Sequence, residues 1–117
     1  MIGASPAFAS AQVLPSGLQA DLFETITEDE GGAPVIRLRY LAEDLDPGRM
    51  TPQTALEDMK FLCENNALAG MPSAREGTTI IVSLADRATP FGVIDSSVVQ
   101  VFEVFTLNGG ACMWEAF

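Results

Sequence analysis

Cys63 and Cys112 are the residues of this sequence with the most distinctive chemistry. An even number of cysteines in an exported chain usually forms disulfides, and two cysteines permit one pairing. The alternative is a redox-active pair. However, the sequence has no Cys-x-x-Cys spacing, and the neighbouring base that could activate a thiolate is Lys60, about one helical turn before Cys63. We therefore predict a structural disulfide and keep the redox pair as the alternative.

Histidine is absent from the sequence, and this excludes several kinds of catalytic centre. Ser-His-Asp and Cys-His catalysis need an imidazole as general base. Without histidine, a structural zinc site of the mixed Cys/His kind is excluded, and two cysteines cannot form a four-cysteine site within one chain. Methionine sulfur could hold copper(I), but we interpret these side chains as core filler and predict no metal or cofactor. The methionines concerned are Met50, Met59, Met71 and Met113.

Acidic residues concentrate in two segments, Glu28–Glu30 and Glu43–Asp46. Two carboxylates held a few ångströms apart can hydrolyse a glycoside, so a small carboxylate-based hydrolase is one hypothesis for the function. The segment around Asp46 is not an EF-hand calcium loop, because Pro47 breaks it and no glutamate follows at the required place. We interpret both segments as solvated loops and lean against an enzyme.

The chain carries sixteen acidic and six basic residues, a formal net charge of −10. This charge repels phosphate backbones and anionic membrane surfaces, so we expect no nucleic-acid partner. No run approaches the roughly 18 apolar residues of a membrane span. A basic protein or a cation would suit the charge, and so would solubility alone.

Patterns of apolar residues predict one α+β domain with the order ββαβββ. Strands over 18–26 and 35–41 form an antiparallel hairpin, whose Arg37 and Arg39 lie on a solvated face near Asp21. A helix starts at Pro52 after the N-cap Thr51. Its apolar stripe faces the core, and polar residues including Asp58 cover the rest.

The C-terminal half completes the sheet. Three consecutive β-branched residues, Ile80 to Val82, predict a central strand over 78–84. Residues 98–107 suit a helix or a strand, and the following Asn108-Gly109-Gly110 favours a hairpin of two strands. The predicted fold is an antiparallel sheet with one helix packed on it. Trp114 shares the face of Cys112, so we expect it to be buried beside Leu62 or Met59.

Several stretches resemble a family of small exported alphaproteobacterial proteins of unknown function. These are Asp58-Met59-Lys60-Phe61-Leu62-Cys63, Ile80 to Arg87, Phe91-Gly92-Val93, Phe102 to Phe105, and Cys112-Met113-Trp114-Glu115-Ala116-Phe117. The resemblance covers roughly the last two thirds of the chain. It implies export and the pairing of the two cysteines, and it implies no activity and no catalytic residue.

These observations favour a non-catalytic periplasmic binding or accessory protein that acts through a protein partner. The sequence indicates a core and a disulfide but contains no set of groups that could catalyse a reaction. Three residues are our candidates for contacting the partner, because arginine and aromatic side chains often dominate interfaces. They are Arg87, Phe91 and Trp114; the expected burial of Trp114 would weaken its place among them and leave Arg87 and Phe91.

The amino terminus indicates export. Ala7-Phe8-Ala9 has the small-x-small form cut by signal peptidase, although a positive start and an apolar core do not precede it. We interpret residues 1–9 as the remnant of a signal peptide or a disordered tail, and 10–117 as the single domain.

Protein expressed from its own genomic locus should therefore begin near Ser10 or Ala11. Amino-terminal sequencing of the purified protein checks this. An intact Met1 on protein retained in the cytoplasm would contradict the prediction.

Overall fold

The computed structural model describes residues 12–29, 32, 34–70 and 76–115. The predicted signal remnant at 1–9 and the predicted cleavage point lie outside these residues. Within them the chain forms six strands and one helix. Their bounds are β1 Gln12–Val13, β2 Gln19–Glu28, β3 Val35–Leu41, α1 Pro52–Gly70, β4 Thr79–Ala85, β5 Gln100–Asn108 and β6 Ala111–Trp114.

All six strands belong to one sheet, in which the spatial order β1-β2-β3-β4-β5-β6 follows the chain. The predicted α+β class with a single helix is confirmed. The sheet is mixed and not wholly antiparallel as predicted, since β3 and β4 run parallel and the other neighbours run antiparallel. The parallel pair follows from the connection, because α1 carries the chain back to the starting end of the sheet before β4 begins.

The core lies between α1 and one face of the sheet. Met59, Leu62 and Cys63 are fully buried, so the predicted stripe of the helix is confirmed. They belong to one apolar cluster with the alternate residues Ile36, Leu38 and Tyr40 of β3 and Ile80, Val82 and Leu84 of β4. Each large apolar side chain buried in this way contributes roughly 1.5–3 kcal/mol.

Local signals set the ends of several elements as predicted. The Thr51 Oγ1 accepts a hydrogen bond of 3.1 Å from the Thr54 amide and caps α1. Gly109 and Gly110 both have positive φ and connect β5 to β6 through a two-residue turn. A turn of this type favours glycine at both central positions, which decides the ambiguous stretch in favour of a strand, β5, that begins at Gln100.

Asp58 departs from the sequence prediction, because it is fully buried rather than part of the polar surface of α1. Its carboxylate accepts hydrogen bonds from the Ser16 amide (3.0 Å) and the Ser16 hydroxyl (2.5 Å). A buried carboxylate needs such donors. Asp58 therefore ties the helix to the turn between β1 and β2.

Trp114 also departs from the prediction. It lies opposite Phe105 in the β5–β6 pair and so shares the helix side of the sheet with Cys112, as expected. Its predicted burial is wrong, since the residue is 48% exposed and its indole Nε1 donates to Glu103 Oε1 at 2.8 Å. Because β6 is an edge strand, a large side chain there keeps water along one flank.

The predicted disulfide is present and joins α1 to the edge strand β6. Cys63 and Cys112 are 49 residues apart in sequence, and their Cα atoms are 6.4 Å apart. In the chain-entropy account, closing a loop of this length restricts the unfolded chain by about 4 kcal/mol.

Replacing both cysteines with alanine should lower the free energy of unfolding by about 2–5 kcal/mol. Chemical denaturation of the variant and of the oxidised wild type measures the difference. Intact mass of the wild type should rise by about two hydrogens on reduction. Two thiols that react with a maleimide before reduction would contradict the prediction.

Candidate functional site

The helix covers one face of the sheet and leaves the other without a helical layer in the described residues. We call this second face the open face. Cross-strand partners point to the same side, so the pairs Arg37–Ile81, Arg39–Ser83 and Ser83–Phe102 place these side chains on it. Its members are Glu24, Ile26, Glu28, Arg37, Arg39, Ile81, Ser83, Gln100, Phe102 and Val104.

Arg39 lies at the centre of the open face and is 6% exposed, so its predicted place on a solvated face is wrong. Its Nη1 pairs with Glu24 Oε1, and its Nη2 donates to the Thr89 carbonyl at 2.8 Å. Its guanidinium also lies 4.9 Å from the ring centre of Phe23 and 5.7 Å from that of Phe91. A β-bulge between Leu22 and Glu24 accompanies this contact.

Arg37 is bonded very differently from Arg39. Its Nε lies 3.3 Å from Glu28 Oε1, and its guanidinium lies 5.1 Å from the Phe91 ring centre. The side chain keeps 30% of its surface exposed. Among the described residues its two terminal nitrogens make no hydrogen bond. Both terminal nitrogens of Arg39 therefore donate within the protein. The two terminal nitrogens of Arg37, which form the fork of its guanidinium, are free to bind a ligand.

Residues 86–99 form the loop that crosses the open face. Asp86 closes its base, because its amide donates to the Val99 carbonyl and its Oδ1 accepts from the Val99 amide. Near the other end, the Ser97 hydroxyl and amide both donate to Asp95, and these bonds hold the pKa of Asp95 below its ordinary value. The loop thus has a defined path over the sheet.

A cleft of about 280 Å³ lies between this loop and the open face. Its walls are mainly apolar, with Phe91 to Ile94 on the loop side and Ile81 and Phe102 on the sheet side. Ile94 is 97% exposed and Phe102 is 62% exposed. Arg37, Arg39, Ser83, Thr89 and Gln100 supply its polar groups. An arrangement of apolar walls with a few polar donors is suited to binding.

The three predicted contact residues do not form one surface. Phe91 lies over the two arginines of the open face, whereas Trp114 lies on the helix side of the sheet. Arg87 lies at the base of the loop, where its Nε is 3.7 Å from Asp86 Oδ1 and its Nη2 donates to the Ser97 carbonyl at 3.4 Å. Only Phe91 belongs to the cleft among these three.

The acidic segment Glu43–Asp46 borders a second cavity, of about 420 Å³. Asp44, Asp46 and Arg49 line it together with Ser16 to Gln19, Met50 and Thr54. Both aspartates are exposed, and Asp46 Oδ1 accepts the Gly48 amide, which shapes the turn. Within the described residues no group of three or more acidic, cysteine or histidine side chains could hold a metal ion.

Phe91 alone of the cleft residues was a predicted contact residue, and the sequence analysis did not assign Arg37, Ser83 or Phe102 to a site. The alternation of β3 places Arg37 correctly, but no local pattern tells which loop crosses its face. Thr89 is 50 residues from Arg39, so the contact that buries this arginine has no local signal. Consecutive apolar residues in β4 were a usable signal, since they indicate cover on both faces.

Arg39→Met should lower the free energy of unfolding by about 1–3 kcal/mol, because Glu24 and the Thr89 carbonyl would each lose a donor. Denaturant unfolding measures this. The Val93 amide, bonded to the Pro90 carbonyl, should exchange faster with deuterium as the loop loosens. Lys60→Met removes the same charge from the exposed side of α1 and is the control. Equal losses in the two variants would contradict the assigned role.

Comparison with known proteins gives a family but no activity. No match was found among curated proteins or among solved structures. The resemblance to a family of unknown function is confirmed at that level, while its alphaproteobacterial origin and export stay predictions. The profile described as "Family of unknown function (DUF6497)" matches residues 1–117, so the chain belongs to that family.

Proposed function

We propose that the protein is an exported, non-catalytic binding protein that acts in the periplasm through a protein partner. The observation that carries the proposal is the open face, where Phe91, Val93, Ile94 and Phe102 expose apolar surface around one cleft. Exposed apolar side chains gathered in one place often mark interaction sites. Their grouping beside a defined loop supports a binding role.

The disulfide supports the proposed compartment. Disulfides form and persist in oxidising environments such as the periplasm and are rare in the cytosol. Both sulfur atoms belong to fully or almost fully buried residues, which suits a structural bond more than a redox pair. No helix among the described residues is long and apolar enough to span a membrane.

The charge of the chain supports a partner that is a different protein. A second copy would also carry −10, so two open faces would approach against repulsion. An anionic lipid surface would be repelled in the same way. A segment of a different protein that carries an apolar side chain can enter the cleft without the electrostatic repulsion that a second copy or an anionic lipid surface would meet.

Photocrosslinking in the native host tests the proposal. A photoreactive phenylalanine analogue at position 102 should give one discrete adduct with a host protein, and Ile94→Glu should reduce its yield at least severalfold. The same analogue at Val13 is the control, since Val13 is similarly exposed but lies on β1. Mass spectrometry identifies the host protein in the adduct. The crosslinking is then repeated with the two purified proteins.

An equal adduct from position 13, or none from position 102, would overturn this use of the open face. An adduct that is unaffected by Ile94→Glu would do the same. Recovery of the adduct from the periplasmic fraction tests the compartment separately.

A further inference from the structure

We infer that the cleft on the open face binds an apolar group that carries a carboxylate, and that in the partner this group is a C-terminal residue with an apolar side chain. The inference rests on the proposed function for its source of ligand, a protein chain. Its chemistry rests on Arg37 and Ser83. Both line the cleft on adjacent strands.

The free fork of Arg37 is the first observation. Its partner Glu28 meets the Nε atom alone, at 3.3 Å, and leaves Nη1 and Nη2 without a hydrogen bond among the described residues. Two parallel N–H groups of a guanidinium match the two oxygens of a carboxylate. The Phe91 ring against Arg37 limits the positions of the fork.

Ser83 is the second, independent observation. The residue is nine-tenths buried and lines the cleft, yet its hydroxyl has no hydrogen-bond partner in the part of the chain described. The Ser83 hydroxyl keeps contact with solvent in the cleft, so it is available to donate to a carboxylate oxygen. Ser83 lies opposite Arg39, and Arg37 lies opposite Ile81, two residues earlier on β4 and on the same face of the sheet.

Arg39 does not compete for the ligand. Both of its terminal nitrogens already donate, one to Glu24 and one to Thr89. It therefore holds the loop that forms the wall, while Arg37 offers the free donors. This division of roles explains why two arginines in an acidic chain occupy one small area.

The apolar lining and the volume of the cleft determine which side chain the ligand can carry. Ile81, Phe91 and Phe102 surround the polar groups, and a volume of about 280 Å³ suits one large side chain better than a long molecule. The last residue of a protein places a side chain and a carboxylate on the same carbon. A leucine or a similar residue at a C-terminus would fill the walls and reach the donors together.

Titration of the purified protein, followed by amide NMR, tests the inference with three probes. These are acetyl-Ala-Ala-Ala-Leu with a free carboxylate, the same peptide as its C-terminal amide, and 4-methylpentanoate. The free peptide should shift amides around Ser83, Phe91 and Phe102. The amide should bind about tenfold more weakly or worse, because charge-assisted hydrogen bonds are lost.

Variants assign the donors. Arg37→Met should weaken binding of the free peptide by about tenfold or more, and Ser83→Ala should weaken it severalfold. Arg37→Lys keeps the charge without the fork and should recover part of the loss. Lys60→Met removes a charge on the helix side and should bind like the wild type. Retained amide dispersion in each variant shows that the fold is intact.

Equal binding of peptide and amide, or shifts confined to other surfaces, would overturn the carboxylate assignment. Equal affinity for 4-methylpentanoate would overturn the C-terminal source in favour of a free carboxylate. The titration needs no partner, so its outcome is separate from that of the crosslinking. Carboxylate selectivity without an adduct would remove the proposed function and the C-terminal source of the ligand while leaving the carboxylate site, and an adduct without carboxylate selectivity would remove this inference alone.

Discussion

The packing of α1 against one face of the sheet is the constraint on which the rest of the structure depends. The helix contributes Met59, Leu62 and Cys63 to the core, and it forms the crossover that makes β3 and β4 parallel. One helix can cover only one face. In the described part of the chain, residues 86–99 are what covers the other face. This loop covers only part of that face, so Phe102 stays largely exposed.

The partial cover explains the unusual arrangement of charges. A buried guanidinium is costly unless its donors are satisfied, and Arg39 satisfies them with Glu24 and the Thr89 carbonyl. The aromatic rings of Phe23 and Phe91 complete its surroundings. The contacts of Arg39 with the Thr89 carbonyl and the Phe91 ring offset the cost of burying its charge, and they also hold the loop against the sheet. Burial of the charge and the position of the cleft wall therefore depend on each other.

The helix side uses two further connections that prevent the layers from separating. The disulfide joins α1 to the edge strand β6, and Asp58 joins α1 to the turn around Ser16 near the opposite edge of the sheet. One connection is covalent and the other consists of two hydrogen bonds to a buried carboxylate. The helix is therefore held near both edges of the sheet, on the side opposite the open face.

The sequence by itself determined the features that depend on neighbouring residues or on counting. Alternation placed the strands, Thr51 and Pro52 marked the start of the helix, the glycines after Asn108 set the hairpin, and two cysteines allowed one disulfide. Tertiary structure alone decided which side chains meet across long separations. The burial of Arg39 depends on a loop 50 residues away and that of Asp58 on a turn 42 residues away, while Trp114 stays exposed because its strand is at an edge. Such contacts leave no local periodicity, since they arise only when the layers have packed.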